Sequence, residues 1–250
     1  KQFDLIQGAL PVLTACWGSS SARLGGAMVL PRRTRAPVKK SAAAGPQAKV
    51  VHIVRHGEAE HNVSEACFEK RNTQLTARGK RQARSLRRTL QKLKPEAVIT
   101  SPILRAMQTA RAMTPRTPTV VVPDARERIL CKSHLCDLPV DPKRYRQSKQ
   151  FGGMDWSLAR GVGTCKYQQE IVDADLASWA NIKRRGRELT RYLLRRPEAN
   201  LAVVSHGGFL MRLTGDSYMD NCEVRTYLVT GGRHTRWKRL RTYASPRGNA

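Results

Sequence analysis

The sequence predicts an α/β fold of three layers, a mainly parallel central sheet covered by helices on both faces. Three observations carry that expectation. Residues 50–54 and 201–204 are apolar runs rich in β-branched side chains, the pattern of strands buried on both faces. Two long stretches, around residues 77–93 and 179–195, repeat apolar residues at helical spacing. Short apolar runs alternate with these stretches, which argues for parallel strands joined by helical crossovers.

The first strand runs into Arg55-His56-Gly57-Glu58. Gly57 supplies a turn, so Arg55 and His56 stand at the strand's carboxyl end, the edge at which open α/β sheets bind ligands. The later strand ends the same way, in Ser205-His206-Gly207-Gly208. Two buried strands that each deliver a His-Gly to the same edge imply one pocket holding two imidazoles.

Between them the elements follow in order. Thr76 is a helix N-cap, and Gly79, Ala83, Leu86, Leu90 and Leu93 form the apolar stripe behind it. Arg81, Arg84, Arg87, Arg88 and Lys92 make up the opposite, solvated face, and Pro95 ends the helix. Residues 97–100 read as a buried strand. Ser101-Pro102 then reads as a cap followed by a first-turn proline, which puts Arg105 in the first turn of the next helix. Residues 119–122 form a third strand closed by Pro123, with Glu127 in the loop beyond.

Residues 131–165 carry Pro, Gly and a basic cluster, and read either as a substrate lid or as a plain surface loop. Trp179, Ile182, Gly186, Leu189 and Leu193 mark the second long helix, ended by Pro197. A short helix from Gly208 and a strand over Val224–Thr230 complete the domain.

The chain divides into a basic leader (1–48), a catalytic-sized domain (49–240) and a basic tail (241–250). Residues 19–48 contain no acid and little apolar surface, so they read as a flexible leader or a transit-like segment. Location is accordingly cytoplasmic, or organellar if that segment is a transit peptide. The formal charge is +27, and the leader holds only seven basic residues against one acid, so most of the excess lies on the domain. Such a balance implies anionic partners: phosphorylated small molecules or phosphoproteins, with weak electrostatic attraction to nucleic acid or an anionic surface. Six cysteines are scattered without a CxxC pair, and Cys131-x-x-His134-x-Cys136 lacks a fourth ligand at a zinc-like spacing. No apolar run has the length of a transmembrane helix.

Arg55-His56-Gly57-Glu58 followed by His61-Asn62 resembles the signature of the histidine phosphatase superfamily, the phosphoglycerate-mutase-like fold. Further motifs of that family recur in order: Leu75-Thr76-x-x-Gly79-x-x-Gln82-Ala83, then Ser101-Pro102-Ile103-Leu104-Arg105-x-x-Gln108-Thr109-Ala110. Glu127 follows where the family keeps its acid, and Ser205-His206-Gly207-Gly208 matches the last motif. Any one of these is weak; five in order are specific, and together they cover residues 49–230.

The resemblance implies phosphomonoester hydrolysis through a phosphohistidine on His56, without a metal or another cofactor. Arg55 and Arg105 supply forked donors matched to phosphate geometry, and His206 adds a third donor. Asn62 adds a neutral one, and Gly207 completes the phosphate-binding set with His56. The catalytic set is then His56, Glu127, His206, Arg55 and Arg105. A backbone carbonyl at or near Gly57 is expected to hold the other ring nitrogen of His56. Glu127 is the expected proton donor, with Glu58 as its rival. Asn72 stands where the family often has an acid, and Cys136-Asp137 runs into Leu138-Pro139 without the segments of glycolytic mutases. A mutase, or a catalytically quiet phosphate- or nucleic-acid-binding module on the same fold, are the alternative readings.

Overall fold

The protein's structure, a computed structural model, describes residues 48–159, 161–232 and 234–246. All of the expected leader except Ala48 lies outside the described residues, as does the end of the tail, 247–250. The strands are β1 (Ala48–Arg55), β2 (Ala97–Thr100), β3 (Thr119–Val121), β4 (Asn200–Ser205), β5 (Val224–Thr230) and β6 (Arg236–Tyr243). They form one sheet in the order β3-β2-β4-β1-β5-β6. The first four are mutually parallel, while β5 runs antiparallel to β1 and β6 antiparallel to β5.

Period-two alternation sorts the apolar residues into two cores. Val51, Ile53, Ile99, Leu201 and Val203 face one way, against Ile182, Leu189 and Leu193 of helix α6 (Trp179–Arg195) and Phe209 and Leu210 of α7 (Gly207–Thr214). Val54, Val98, Ala202 and Val204 face the other way, against α2 (Ala77–Leu93) and α3 (Leu104–Met113). The three layers expected from the sequence follow directly. The remaining α-helices are α1 (Glu60–Val63), α4 (Pro142–Tyr145) and α5 (Cys165–Ala177).

α2 forms as its stripe requires. The Thr76 hydroxyl accepts the Gly79 amide at 3.0 Å, and Gly79, Ala83, Leu86 and Leu90 are buried, with Leu93 only partly so. Gly79 is obligatory by proximity: a Cβ there would stand 1.9 Å from the Glu58 carbonyl oxygen. The face of α2 carrying Arg81, Arg84, Arg87 and Arg88 is exposed, as expected.

Four details differ from the sequence reading. α3 begins at Leu104, so Ser101 does not cap it and Pro102 is not its first-turn proline. The Ser101 hydroxyl is instead drawn to His206, while Arg105 still falls in the first turn. Trp179 starts α6 yet is 48 % exposed, outside the buried stripe of Ile182, Gly186, Leu189 and Leu193. β6 is unforeseen: its Arg- and Lys-rich sequence suits an edge strand open to water along its length. It also runs to Tyr243, three residues past the expected domain limit.

Residues 131–165 are neither a bare loop nor a detached lid. Val140, Phe151, Met154, Trp156, Ala159 and Val162 pack with Leu104, Met107 and Val121 in a core of their own. Asp155 also pairs with the free edge of β3: its amide donates to Thr119 O at 2.8 Å, and its carbonyl accepts the Val121 amide at 2.9 Å. The segment covers the sheet's open parallel edge and carries Cys136 and Asp137 to the pocket.

Candidate active site

Strand register creates the site. β1 and β4 are neighbours with Arg55 opposite Ser205, so His56 and His206 leave the sheet side by side. Their ring centroids are 5.1 Å apart and both side chains are buried. β2 lies on the far side of β4, with Thr100 opposite Val204, which brings Ser101 beside His206. His56 opens into a cavity of about 310 Å³ at the carboxyl edge of the parallel strands, with His206 and Ser101 buried behind it.

Both rings are oriented by hydrogen bonds, and that of His56 fixes its tautomer. His56 Nδ1 lies 2.8 Å from the Gly57 carbonyl, so this nitrogen carries the proton and donates. Its Nε2 then holds a lone pair, which accepts Arg105 Nε–H at 3.2 Å. For His206, Nε2 lies 2.8 Å from the Ser101 hydroxyl, which also accepts the Ile103 amide. When that hydroxyl gives its proton to Nε2, Nδ1 carries the ring proton as a buried donor without a partner among the described residues. Burial, and then the positive charge of Arg105, hold both imidazoles neutral well below their ordinary pKa. A neutral ring with an accessible lone pair can attack an electrophile; an orphan N–H beside it can hold an anion.

The arginines are engaged differently. Arg55 Nη1 donates to Met219 O at 2.8 Å and its guanidinium sits 4.8 Å from the Tyr218 ring, leaving Nε without a partner. Arg105, 1 % exposed, also donates to Cys136 O (2.7 Å), to Asp137 Oδ1 (2.6 Å) and weakly to the Thr73 hydroxyl (3.4 Å). The Arg105–Asp137 pair is buried, and nothing in the sequence pattern announces it.

Glu127 lines the cavity, accepting the Arg128 amide at 2.9 Å and the Gly208 amide, at the start of α7, at 3.0 Å. Burial raises its pKa and the negative charge of Asp137 adds to the rise, against the pull of the two amides and Arg105. Glu58, the rival acid, turns away. It accepts the Thr76 hydroxyl at 2.6 Å, pairs with Arg78 at 3.0 Å and does not line the cavity.

Asn62 and Gly207 are also in the wall. Asn62 Oδ1 accepts the Ala59 amide at 3.0 Å, so only its amide nitrogen, 3.2 Å from His61 Nε2, remains to donate. At Gly207 a Cβ would stand 2.4 Å from the Tyr218 ring, so glycine permits Tyr218 to close against Arg55. Cys131 is exposed and Cys136 buried, and no group of three metal-ligating side chains converges among the described residues.

The loop carrying Glu127 is fixed from behind. Arg126 forms a forked, fully buried pair with Asp175 of α5, and Arg126 Nη1 also donates to Glu127 O at 3.0 Å. Arg185 of α6 donates to Arg126 O at 2.7 Å, and Asp175 takes the Ile129 amide at 3.1 Å. Burial alone would raise the Asp175 pKa, but the bond and charge of Arg126, with that of Arg185, outweigh it and hold the carboxyl low. Asp175→Asn should therefore strand two buried guanidiniums and cost about 3–5 kcal/mol of stability. Urea unfolding of the two proteins measures this, and a loss under about 1 kcal/mol would refute the role of Asp175 as a clamp.

Arg55, His56, Asn62, Arg105, Glu127 and Gly207 line one cavity, His206 is buried beside His56 without lining it, and Glu58 lies outside. Ser101, Asp137, Arg126, Asp175 and Arg185 were not singled out as site residues from sequence. Ser101 and Asp137 stood in motifs as a supposed cap and an unexplained departure, whereas the other three had no signal.

The model of the histidine phosphatase superfamily (branch 1) matches residues 51–134. A probable phosphatase of Schizosaccharomyces pombe is 27 % identical over 168 residues, covering 64 % of this chain and 74 % of the relative. A phosphoglycerate mutase-like protein of Arabidopsis thaliana is 28 % identical, covering 71 % and 78 %. Among solved structures, a mycobacterial hydrolase superposes with a TM-score of 0.55 at 18 % identity, covering 79 % of this chain and 99 % of its own. That last likeness is one of fold.

Proposed function

We propose that the chain, whose residues 51–134 match the model of the histidine phosphatase superfamily (branch 1), is a member of that superfamily and hydrolyses phosphomonoesters through a phosphohistidine on His56, with Glu127 as proton donor. The observation that carries the reading is the His56 ring, neutral, with Nδ1–H on Gly57 O and Nε2 turned to Arg105 within the cavity.

In the first step the Nε2 lone pair attacks phosphorus in line with the departing ester oxygen. The P–O bond breaks, the Glu127 proton passes to that oxygen, and the alcohol leaves. Arg105 Nε–H, which caps the lone pair before substrate enters, turns to a phosphoryl oxygen. Arg55 Nε–H and His206 Nδ1–H, both without partners, take the others. In the second step the Glu127 carboxylate removes a proton from water as the water oxygen attacks phosphorus. The P–N bond breaks, inorganic phosphate leaves, and Glu127 regains its proton.

Esters bearing a second free hydroxyl distinguish hydrolysis from internal transfer. Purified protein should release inorganic phosphate in step with loss of the ester. Formation of the isomeric ester without phosphate release would replace the hydrolase with a mutase.

A further inference from the structure

The hydrolytic steps leave one cluster in the same cavity unused. Trp179 is half-exposed, and two guanidiniums lie over its ring, Arg128 at 3.4 Å and Arg212 at 4.4 Å from the centroid. Stacking on the indole occupies the flat faces of the guanidiniums and leaves their N–H edges to other partners.

Those edges are underused. Neither arginine forms a salt bridge among the described residues. Arg128 reaches only the Asp175 carbonyl, at a long 3.4 Å, and its Nε is buried without a partner. Two cations held at one ring repel each other, and an anion that reaches the N–H edges of both removes that cost. Lys183 adds a further cation to the adjoining cavity that Trp179 and Arg212 share. Both arginines line the same cavity as His56 and Glu127, so a molecule whose phosphate meets His56 can reach them.

We propose that Arg128 and Arg212, held against Trp179, form a second anion-binding site in this cavity. The preferred phosphomonoesters then carry a carboxylate or a second phosphate on the leaving portion; the ester half of this statement rests on the hydrolase reading above. Aromatic rings are a poorer fit, because the indole face is already taken. The largely apolar wall between polar groups, with Phe68, Leu130, Ile182 and Met211, suits a carbon chain joining the two anions.

Binding and turnover test the two readings separately. Calorimetry with alkyl phosphonates of three to five carbons, ending in methyl, carboxylate or phosphonate, needs no catalysis. Wild type should bind at least one charged-ended chain about tenfold or more tightly than its methyl counterpart, as paired charge-assisted hydrogen bonds allow. Preference for the carboxylate or the phosphonate end identifies which anion the site takes. In Arg128→Gln/Arg212→Gln that preference should fall to within about twofold, and Arg212→Lys should restore part of it. Equal binding of charged and methyl ends by wild type, or a preference surviving the double variant, overturns the site. Selective binding with no release of phosphate from the matching esters keeps the site and overturns the hydrolase.

Discussion

His56→Ala is expected to abolish phosphate release and, with it, any acid-labile phosphoenzyme. Arg55, Arg105 and His206 can hold a phosphate but cannot attack it, because two are permanently protonated and the third presents an N–H. Loss of a nucleophile that acts within a set is severe, on the order of 10⁴-fold or more in kcat. The fold should survive, since His56 contributes one side-chain bond to Gly57 O and one acceptor to Arg105, together about 1–3 kcal/mol. Affinity for inorganic phosphate should persist, because the donors remain. The measurement is quenching of wild type and variant in alkaline denaturant after mixing with radiolabelled ester, followed by acid treatment to release any acid-labile label. Label that stays on the His56→Ala protein would exclude His56 as the phosphorylated residue.

The second large effect is that of Glu127→Gln, which keeps the hydrogen-bond geometry at Gly208 but removes the transferable proton. A positioned acid contributes roughly 10²–10⁴-fold. The loss should fall mainly on alkyl phosphates, whose leaving alkoxide needs protonation, and be small for aryl phosphates. The pH profile gives an independent readout. Glu127 acts when protonated, and its pKa is raised by burial and by Asp137, so wild-type activity is present below that raised value and lost as pH climbs through it. His56 acts when neutral, and burial with the nearby cations lowers its pKa, so activity is lost only as pH falls through that lowered value. Glu127→Gln should erase the basic limb and leave the acid limb in place. Equal losses on alkyl and aryl esters, with both limbs intact, would remove Glu127 from the proton-transfer step.

Asp137 ties these effects together. Its carboxylate pairs with Arg105 while its negative charge favours the protonated form of Glu127. One side chain thus orients the guanidinium beside His56 Nε2 and favours the protonated form of Glu127.

The alternation of buried runs and amphipathic stripes determined, without coordinates, that a mainly parallel sheet would lie between two helical layers. Periodicity suffices there because burial on one or both faces is written residue by residue. The same holds for His56 and His206, each following an apolar strand and a glycine, and for Thr76 and Arg105 near their helix starts. What the chain order could not specify was pairing across long separations. Only the register of β1 with β4 makes the two histidines neighbours, and only the packed segment 131–165 brings Asp137 to Arg105. Which of Glu58 and Glu127 faces the cavity was likewise tertiary: both lie near the motifs, but Thr76 and Arg78 of the α2 start hold Glu58 away, while α7 presents the Gly208 amide to Glu127. The buried Arg126–Asp175–Arg185 clamp and the Arg128–Trp179–Arg212 cluster left no local trace either. Charged residues in a chain this basic read as solvated surface until the fold supplies a partner and removes the water.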